Sequence, residues 1–266
     1  MGEEVTRRNF LSIAGAAVGG LAVGAVGGYT LIPPKETIVE VPKNIEVEKP
    51  VPEWPWPYTR LDVEAVKERA YNAYFESGCA YGAFEGVMGE LRESVGFPFN
   101  TVPSKMMIFG KGGGLGWGTL CGALNGGLAA VNLLTSEYSA VGGEIIGEYT
   151  EFAYPSWKPN ETVKTDADLP TSVSGSPLCH VSVTKWCEES GFASGSIERK
   201  ERCGRLTGEV AGRSAEMLNA LLDGEFVPVF QIPESTTACN NCHYDTGSIA
   251  NVHAISDCVQ CHGETH

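Results

Sequence analysis

The chain has 266 residues and a formal net charge of −14 at pH 7, from 19 Lys and Arg against 33 Asp and Glu. So acidic a chain is a poor partner for nucleic acid or for an anionic membrane surface, while a basic protein would be steered towards it. The length suits one large domain, or a domain with a smaller segment attached, and 9 Cys beside only 5 His direct attention to metal or redox chemistry.

Residues 1–32 read as an export segment. Thr6-Arg7-Arg8-Asn9-Phe10-Leu11, followed by a Gly/Ala/Val-rich run to Ile32, has the form of a twin-arginine signal, which takes a chain across the inner membrane, usually after folding. The uncharged run from Asn9 to Pro34 could, at about 1.5 Å per residue, span a hydrocarbon core of about 30 Å. An uncleaved anchor is therefore the alternative to a cleaved signal, and the glycine content and small-residue sites such as Ala22-Val23-Gly24 favour cleavage. The expected location is the periplasm, with membrane attachment only if this segment is retained.

Residues 33–58 form a Pro-rich linker, with Pro33, Pro34, Pro42, Pro50, Pro52, Pro55 and Pro57 among alternating Val, Glu and Lys, so it should run extended. Its aromatic end, Trp54-Pro55-Trp56-Pro57-Tyr58, is expected to dock on the globular part.

Residues 59–225 read as a helical, cysteine-rich domain. Asp62 is an N-cap for a helix with Val63, Val66, Ala70 and Tyr74 on one face, and a second helix holds Cys79 near its start and runs to Leu91. The glycine-rich stretch Phe109 to Gly118 lacks the Gly-Lys-Ser/Thr ending of a phosphate loop, and its glycines miss the dinucleotide spacing after a strand. It reads instead as a backbone-rich turn that delivers Cys121 to a helix ending near Leu134, and glycines there would let backbone amides approach a cluster. Residues 135–175 show little helical periodicity and look like a surface excursion. Helix signals return at Pro177 to Glu189 and Ser194 to Leu222, with Cys179, Cys187 and Cys203 on or beside them.

Residues 226–266 hold Cys-x-x-Cys-His twice, as Cys239-Asn240-Asn241-Cys242-His243 and Cys258-Val259-Gln260-Cys261-His262. Two thiols at that spacing can form thioethers to a porphyrin's two vinyl groups, and the following imidazole then falls under the macrocycle as an axial ligand. Redox dithiol pairs or a four-cysteine zinc site would not explain why His follows the second cysteine both times. Two covalent c-type haems per chain are expected. Cys79, Cys121, Cys179, Cys187 and Cys203 remain, an odd number that excludes a complete set of internal disulfides and leaves a cluster, free thiols or a disulfide pair to be considered. The expected fold class is mainly α, a helical cysteine-rich domain with a short C-terminal segment for two haems and few strands.

The Cys79 segment, Cys121-Gly122-Ala123-Leu124-Asn125-Gly126 and the later Cys179 and Cys203 resemble the redox family defined by four cysteines and a Cys-Gly-Ala-x-x-Gly motif, which on its own carries no haem. With an export signal before it and two haem motifs after it, the chain is similar to the split-Soret cytochromes c of sulfate-reducing bacteria. That resemblance implies a homodimer with two bis-histidine haems per subunit at the interface, and an iron–sulfur cluster, 2Fe–2S or 4Fe–4S, in the cysteine domain. The ligand set it implies is Cys79, Cys121, Cys179 and Cys203, with Cys187 as substitute because the four-cysteine pattern does not place it. Proximal haem ligands are His243 and His262, and only His180, His253 and His266 remain for the distal sides. His253 ranks first because it lies on the loop between the motifs, and a histidine donated across the interface would be His180 or His266. An electron carrier exchanging with other electron-transfer proteins is expected rather than a catalyst; the alternative is a redox enzyme acting on a small inorganic substrate at an open iron position.

Overall fold

Asp62 starts the helical body. Its carboxylate accepts from the backbone N–H groups of Glu64 and Ala65 at 2.9 and 3.1 Å, capping α1 (Val63–Ser77). Gly78, at φ +94°, turns the chain into α2 (Cys79–Ser94), which packs back along α1. The approach is close because α2 presents bare backbone: a Cβ at Gly82 would stand 2.7 Å from Ala70 O, and one at Gly86 2.6 Å from Ala70 Cβ. After two short 3₁₀ turns, Phe99–Thr101 and Ser104–Gly110, α3 (Gly122–Leu134) joins the same layer, with Gly126 set against the backbone of Ala80 and Phe84. The coordinates are those of a computed structural model, in which residues 49–263 are described. The export segment 1–32, most of the linker and His266 lie outside the described residues.

Among the described residues the longest element is a helix, α6 (Ile197–Asp223), whose N-cap Ser196 accepts from Arg199 N at 3.1 Å and whose C-cap is Gly224 at φ +73°. α5 is Cys179–Ser190. α6 covers α1, α2 and α3, and the core between them contains Val66, Ala70, Phe84, Val87, Met88, Leu91, Leu124, Val131, Leu206, Val210 and Leu218. At about 25 cal/mol per Å² of apolar surface, burial on this scale is the main term holding the helices together.

One expectation fails over residues 135–175. A full helix, α4 (Tyr138–Glu151), stands in what reads as a surface excursion, burying Val141, Ile145 and Tyr149 at four-residue spacing. Glycines and β-branched residues dilute its propensity, and its stability comes from tertiary packing on α3 and α6 instead. The excursion proper is shorter. It runs between β1 (Ala153–Tyr154) and β2 (Ser172–Val173), which pair antiparallel with Ala153 opposite Val173. Buried carboxylates tie it down: Glu209 accepts from Ser156 N at 2.8 Å and Trp157 N at 3.0 Å, and Glu201 accepts from Lys164 N at 3.1 Å.

The aromatic end of the linker docks as expected, with Trp56 buried against Phe99 and its N–H bonded to Leu133 O at 2.9 Å. Beyond α6 the chain returns along α4, where buried Glu144 accepts from Val229 N at 2.9 Å and from Phe230 N. Two further helices follow, α7 (Glu234–His243) and the single turn α8 (Val259–His262). Among the described residues no helix is long and apolar enough to cross a membrane. The fold is mainly α, with one two-stranded ribbon among the described residues.

Candidate haem and cysteine centres

The two Cys-x-x-Cys-His motifs end helical turns. In α7, Cys239 and Cys242 are three residues apart and so share a face, with His243 closing the helix; Cys258 caps α8, which holds Cys261 and His262. Hydrogen bonds hold the two arms together: Ser235 Oγ to Asp257 Oδ1 at 3.0 Å and Thr236 Oγ1 to Ser256 O at 3.1 Å. Between the arms lies a cavity of about 420 Å³ whose wall includes Cys239, His243, Val252, Cys258, Cys261 and His262. Cys242 is exposed and is not among the residues of that wall, and all four motif cysteines are free thiols. The donors therefore fit haem attachment: thiols from both motifs and both imidazoles reach one hollow.

His243 Nδ1 stands 2.9 Å from Asn251 Oδ1. In the tautomer with the proton on Nδ1 this bond orients the ring and leaves Nε2 for a metal. The other histidines are placed separately. His253 stacks on Tyr244 with ring centroids 5.4 Å apart, and His180 sits at the start of α5 with its N–H bonded to Gly118 O at 3.1 Å. His180 is thus beside the glycine loop and next to Cys179, not in the wall of the haem-side cavity.

The second cluster is built by that loop. Gly112, Gly113, Gly114, Gly116 and Gly118 all take positive φ, which L side chains rarely adopt, so the loop can fold tightly on itself. Its exit, Thr119 to Cys121, runs antiparallel to Pro177 to Cys179: Cys121 N donates to Pro177 O and Cys179 N to Thr119 O, each at 2.8 Å. This bridge places Cys121 and Cys179 diagonally across the pair, on the same face. Gly122, lacking a side chain, leaves room for the Cys79 thiol, and α6 contributes Cys203.

Electrostatics report the convergence. Burial pushes the Cys79 thiol up to about 12, reinforced by neighbouring Cys121 and Cys203. Cys179 is also pushed up to about 12, by burial and then by Cys121, Cys203 and Cys79. Burial raises Cys121 as well, opposed in part by the Tyr149 hydroxyl facing it. Cys187 lies two turns along α5 and is raised by burial, with Arg199 lowering it and Cys203 raising it. The structure thus gathers Cys79, Cys121, Cys179 and Cys203 and leaves Cys187 at the margin. Among the described residues no three His, Cys, Asp or Glu side chains are already arranged to hold a metal ion, and no cysteine is in a disulfide. The donor chemistry nonetheless fits a soft metal: thiols bind such an ion as thiolates, and burial, which raises Cys79, Cys121 and Cys179, makes a metal the natural partner that displaces their protons.

Residues 81–217 match the family described as "Putative redox-active protein (C_GCAxxG_C_C)". The motif in that description has glycine before the cysteine, whereas here Leu120 precedes Cys121 and Gly122-Ala123 follow. The split-Soret cytochrome c of Desulfovibrio desulfuricans (strain ATCC 27774 / DSM 6949 / MB) is 35% identical over 257 residues, covering 93% of this chain and 92% of the relative. The chain belongs to the split-Soret cytochrome c family. It is a redox protein of the cytochrome type. A solved structure, described as "A novel iron centre in the split-Soret cytochrome c from Desulfovibrio desulfuricans ATCC 27774", superposes with a TM-score of 0.75 at 35% identity, over 79% of this chain and 91% of that one. Within the split-Soret chain, sequence reading singled out the cysteines but missed the residues around them, Arg202, Tyr149 and Asn251. No local pattern marks these, since each reaches its partner only through the tertiary fold.

Proposed function

We propose that this split-Soret chain is an exported, periplasmic electron carrier with two c-type haems and a separate iron–sulfur centre. One observation carries the reading: Cys239, Cys258, Cys261 and both motif histidines line a single cavity. Cys239, Cys242 and His243 would hold one haem, and Cys258, Cys261 and His262 the other. Each haem supplies a one-electron couple when bound. The chain's part is to fix the macrocycles through thioethers, to orient His243 through Asn251, and to keep the two arms in contact through Ser235 and Thr236.

For the second centre, the Desulfovibrio relative is described as having a novel iron centre, and the four gathered cysteines are where this chain would hold one. Cys79, Cys121, Cys179 and Cys203 are the ligand set, with Cys187 as substitute, for a 2Fe–2S or 4Fe–4S cluster. His253 ranks first as distal haem ligand, with His180 and His266 as the residues a second subunit would donate. A homodimer would bring the haems to its interface, and the negative charge suits a basic redox partner.

The competing reading is reduction of a small inorganic substrate at an open iron position. It draws on the placement of His253, which stacks on Tyr244 outside the cavity wall. Carbon monoxide added to the dithionite-reduced protein separates the two. An unchanged visible spectrum is expected of a carrier with both axial positions filled; a shifted Soret band would assign an open site and replace the carrier by the enzyme.

A further inference from the structure

Helix α6 buries two arginines and treats them differently. Arg205, 3% exposed, is paired: its Nε donates to Glu201 Oε1 at 3.0 Å and its Nη2 to Thr165 O and Ala167 O at 3.2 and 3.1 Å. Arg202, three residues earlier and 1% exposed, has no carboxylate within ion-pair distance among the described residues. Its Nη2 donates to Ser182 Oγ at 2.9 Å, its Nη1 stands 4.0 Å from Cys203 Sγ, and its Nε has no acceptor.

A guanidinium sealed from water without an anion is a costly arrangement even after relaxation. Arginine cannot escape by losing its proton. The groups facing it are Cys203 on its own helix, Cys121 at the start of α3, the Tyr149 hydroxyl from α4 and Ser182 from α5. Among the described residues no carboxylate balances Arg202. With the thiolates bound to iron, the site becomes anionic and the arginine is the cation that balances it.

We propose that Arg202 is the internal counter-cation of the four-cysteine centre, and that its charge sets the centre's reduction potential. The proposal rests on the reading that those cysteines hold iron. Reduction adds negative charge beside a fixed positive one, so the arginine favours the reduced state and its removal must lower the potential. Among the described residues the hydrogen-bond partners of Arg202 do not include the lining of the haem-side cavity, so the haem couples serve as an internal reference.

The experiment is a mediator titration of the whole exported protein, purified anaerobically, as wild type, R202K and R202M. Removing the charge in R202M should shift the equilibrium of the non-haem iron towards the oxidised form on the order of tenfold or more, about 59 mV downward for a one-electron couple. R202K should stay near wild type, and the haem couples should not move in either variant. An R202M potential equal to wild type, with the iron loaded, overturns the proposal and leaves the iron centre standing; wild type without non-haem iron removes the centre itself and the proposal with it. Stability provides the second arm, which holds even if R202M does not fold. C203S takes away the nearest thiolate, so adding R202M to C203S should leave thermal stability and haem content equal or improved, because a stranded charge is replaced by an apolar side chain. If R202M costs as much in the C203S background as in wild type, Arg202 is only a structural residue and the proposal fails.

Discussion

The most informative single residues are those whose surroundings set a charge or a ring orientation. Asn251 is one: by accepting from His243 Nδ1 at 2.9 Å it pushes electron density onto the ring and favours the ferric state of the iron that ring would hold. N251L should keep both haems attached and raise the potential of one of them, an effect on the order of tenfold in the equilibrium; two unchanged haem potentials in a spectroelectrochemical titration would count against the assignment. Glu209 is another. Burial raises its pKa despite the bonds from Ser156 and Trp157, and its Oε2 has no partner. Its folded value therefore lies above its unfolded one. The native state holds the proton longer, so this residue's contribution to stability falls as pH rises from the ordinary carboxylate range through the raised value, and levels off above it. In E209Q that loss is absent. The melting temperature of E209Q minus that of wild type should grow with pH across the window, and a flat or shrinking difference in a calorimetric series would contradict the burial argument. At this scale the cysteines and histidines of the two Cys-x-x-Cys-His motifs were legible because the motif is defined by spacing along the sequence. Arg202 and Glu209 were not, because burial is a property of the folded neighbourhood.

Among the elements, α3 shows what the Cys-Gly-Ala-x-x-Gly motif does. Gly122 and Gly126 lie four residues apart on the face against α2: the first leaves space for the Cys79 thiol, and the second lets α3 rest on the backbone of Ala80 and Phe84. The two glycines should separate on substitution. G126A forces a methyl group against backbone, with Phe84 N only 2.8 Å from the new Cβ, and should destabilise the domain by about 1–3 kcal/mol or more in chemical denaturation. G122A, which meets the Cys79 thiol and stands 2.7 Å from Gly110 O, should lose non-haem iron while keeping both haems. Full iron retention in G122A would place the metal elsewhere. α1, α2, α3, α5 and α6 were readable in the sequence, since each has an N-cap, a glycine boundary or a clear apolar stripe. α4 was hidden because its buried apolar side chains, Val141, Ile145 and Tyr149, are diluted by Gly142, Gly143 and Gly147, and its position on α3 and α6 supplies what propensity does not. The glycine loop was read correctly as a turn delivering Cys121, but its pairing with Pro177 to Cys179 depends on residues far apart in the chain.

For the whole molecule, the exposed apolar residues before and around the two motifs point to association. Val227 and Val229 are exposed, as are Ile249 and Ile255 around the two motifs, and two macrocycles bound there would need more covering than this segment provides. A symmetric second copy is the simplest cover. The protein should sediment as a dimer at micromolar concentration, with a Soret band split by coupling between neighbouring haems; a monomer with one symmetric band would remove the interface haems from the account. The central claim, that one chain joins a dihaem segment to a separate four-cysteine iron centre, is tested most directly by stoichiometry. Protein exported in a host competent for haem attachment and purified anaerobically should contain two covalent haems per chain by pyridine haemochrome, and total iron and acid-labile sulfide in excess of them. Total iron equal to haem iron, with no labile sulfide, would contradict the iron–sulfur centre, and fewer than two haems would contradict the reading of the twin motifs.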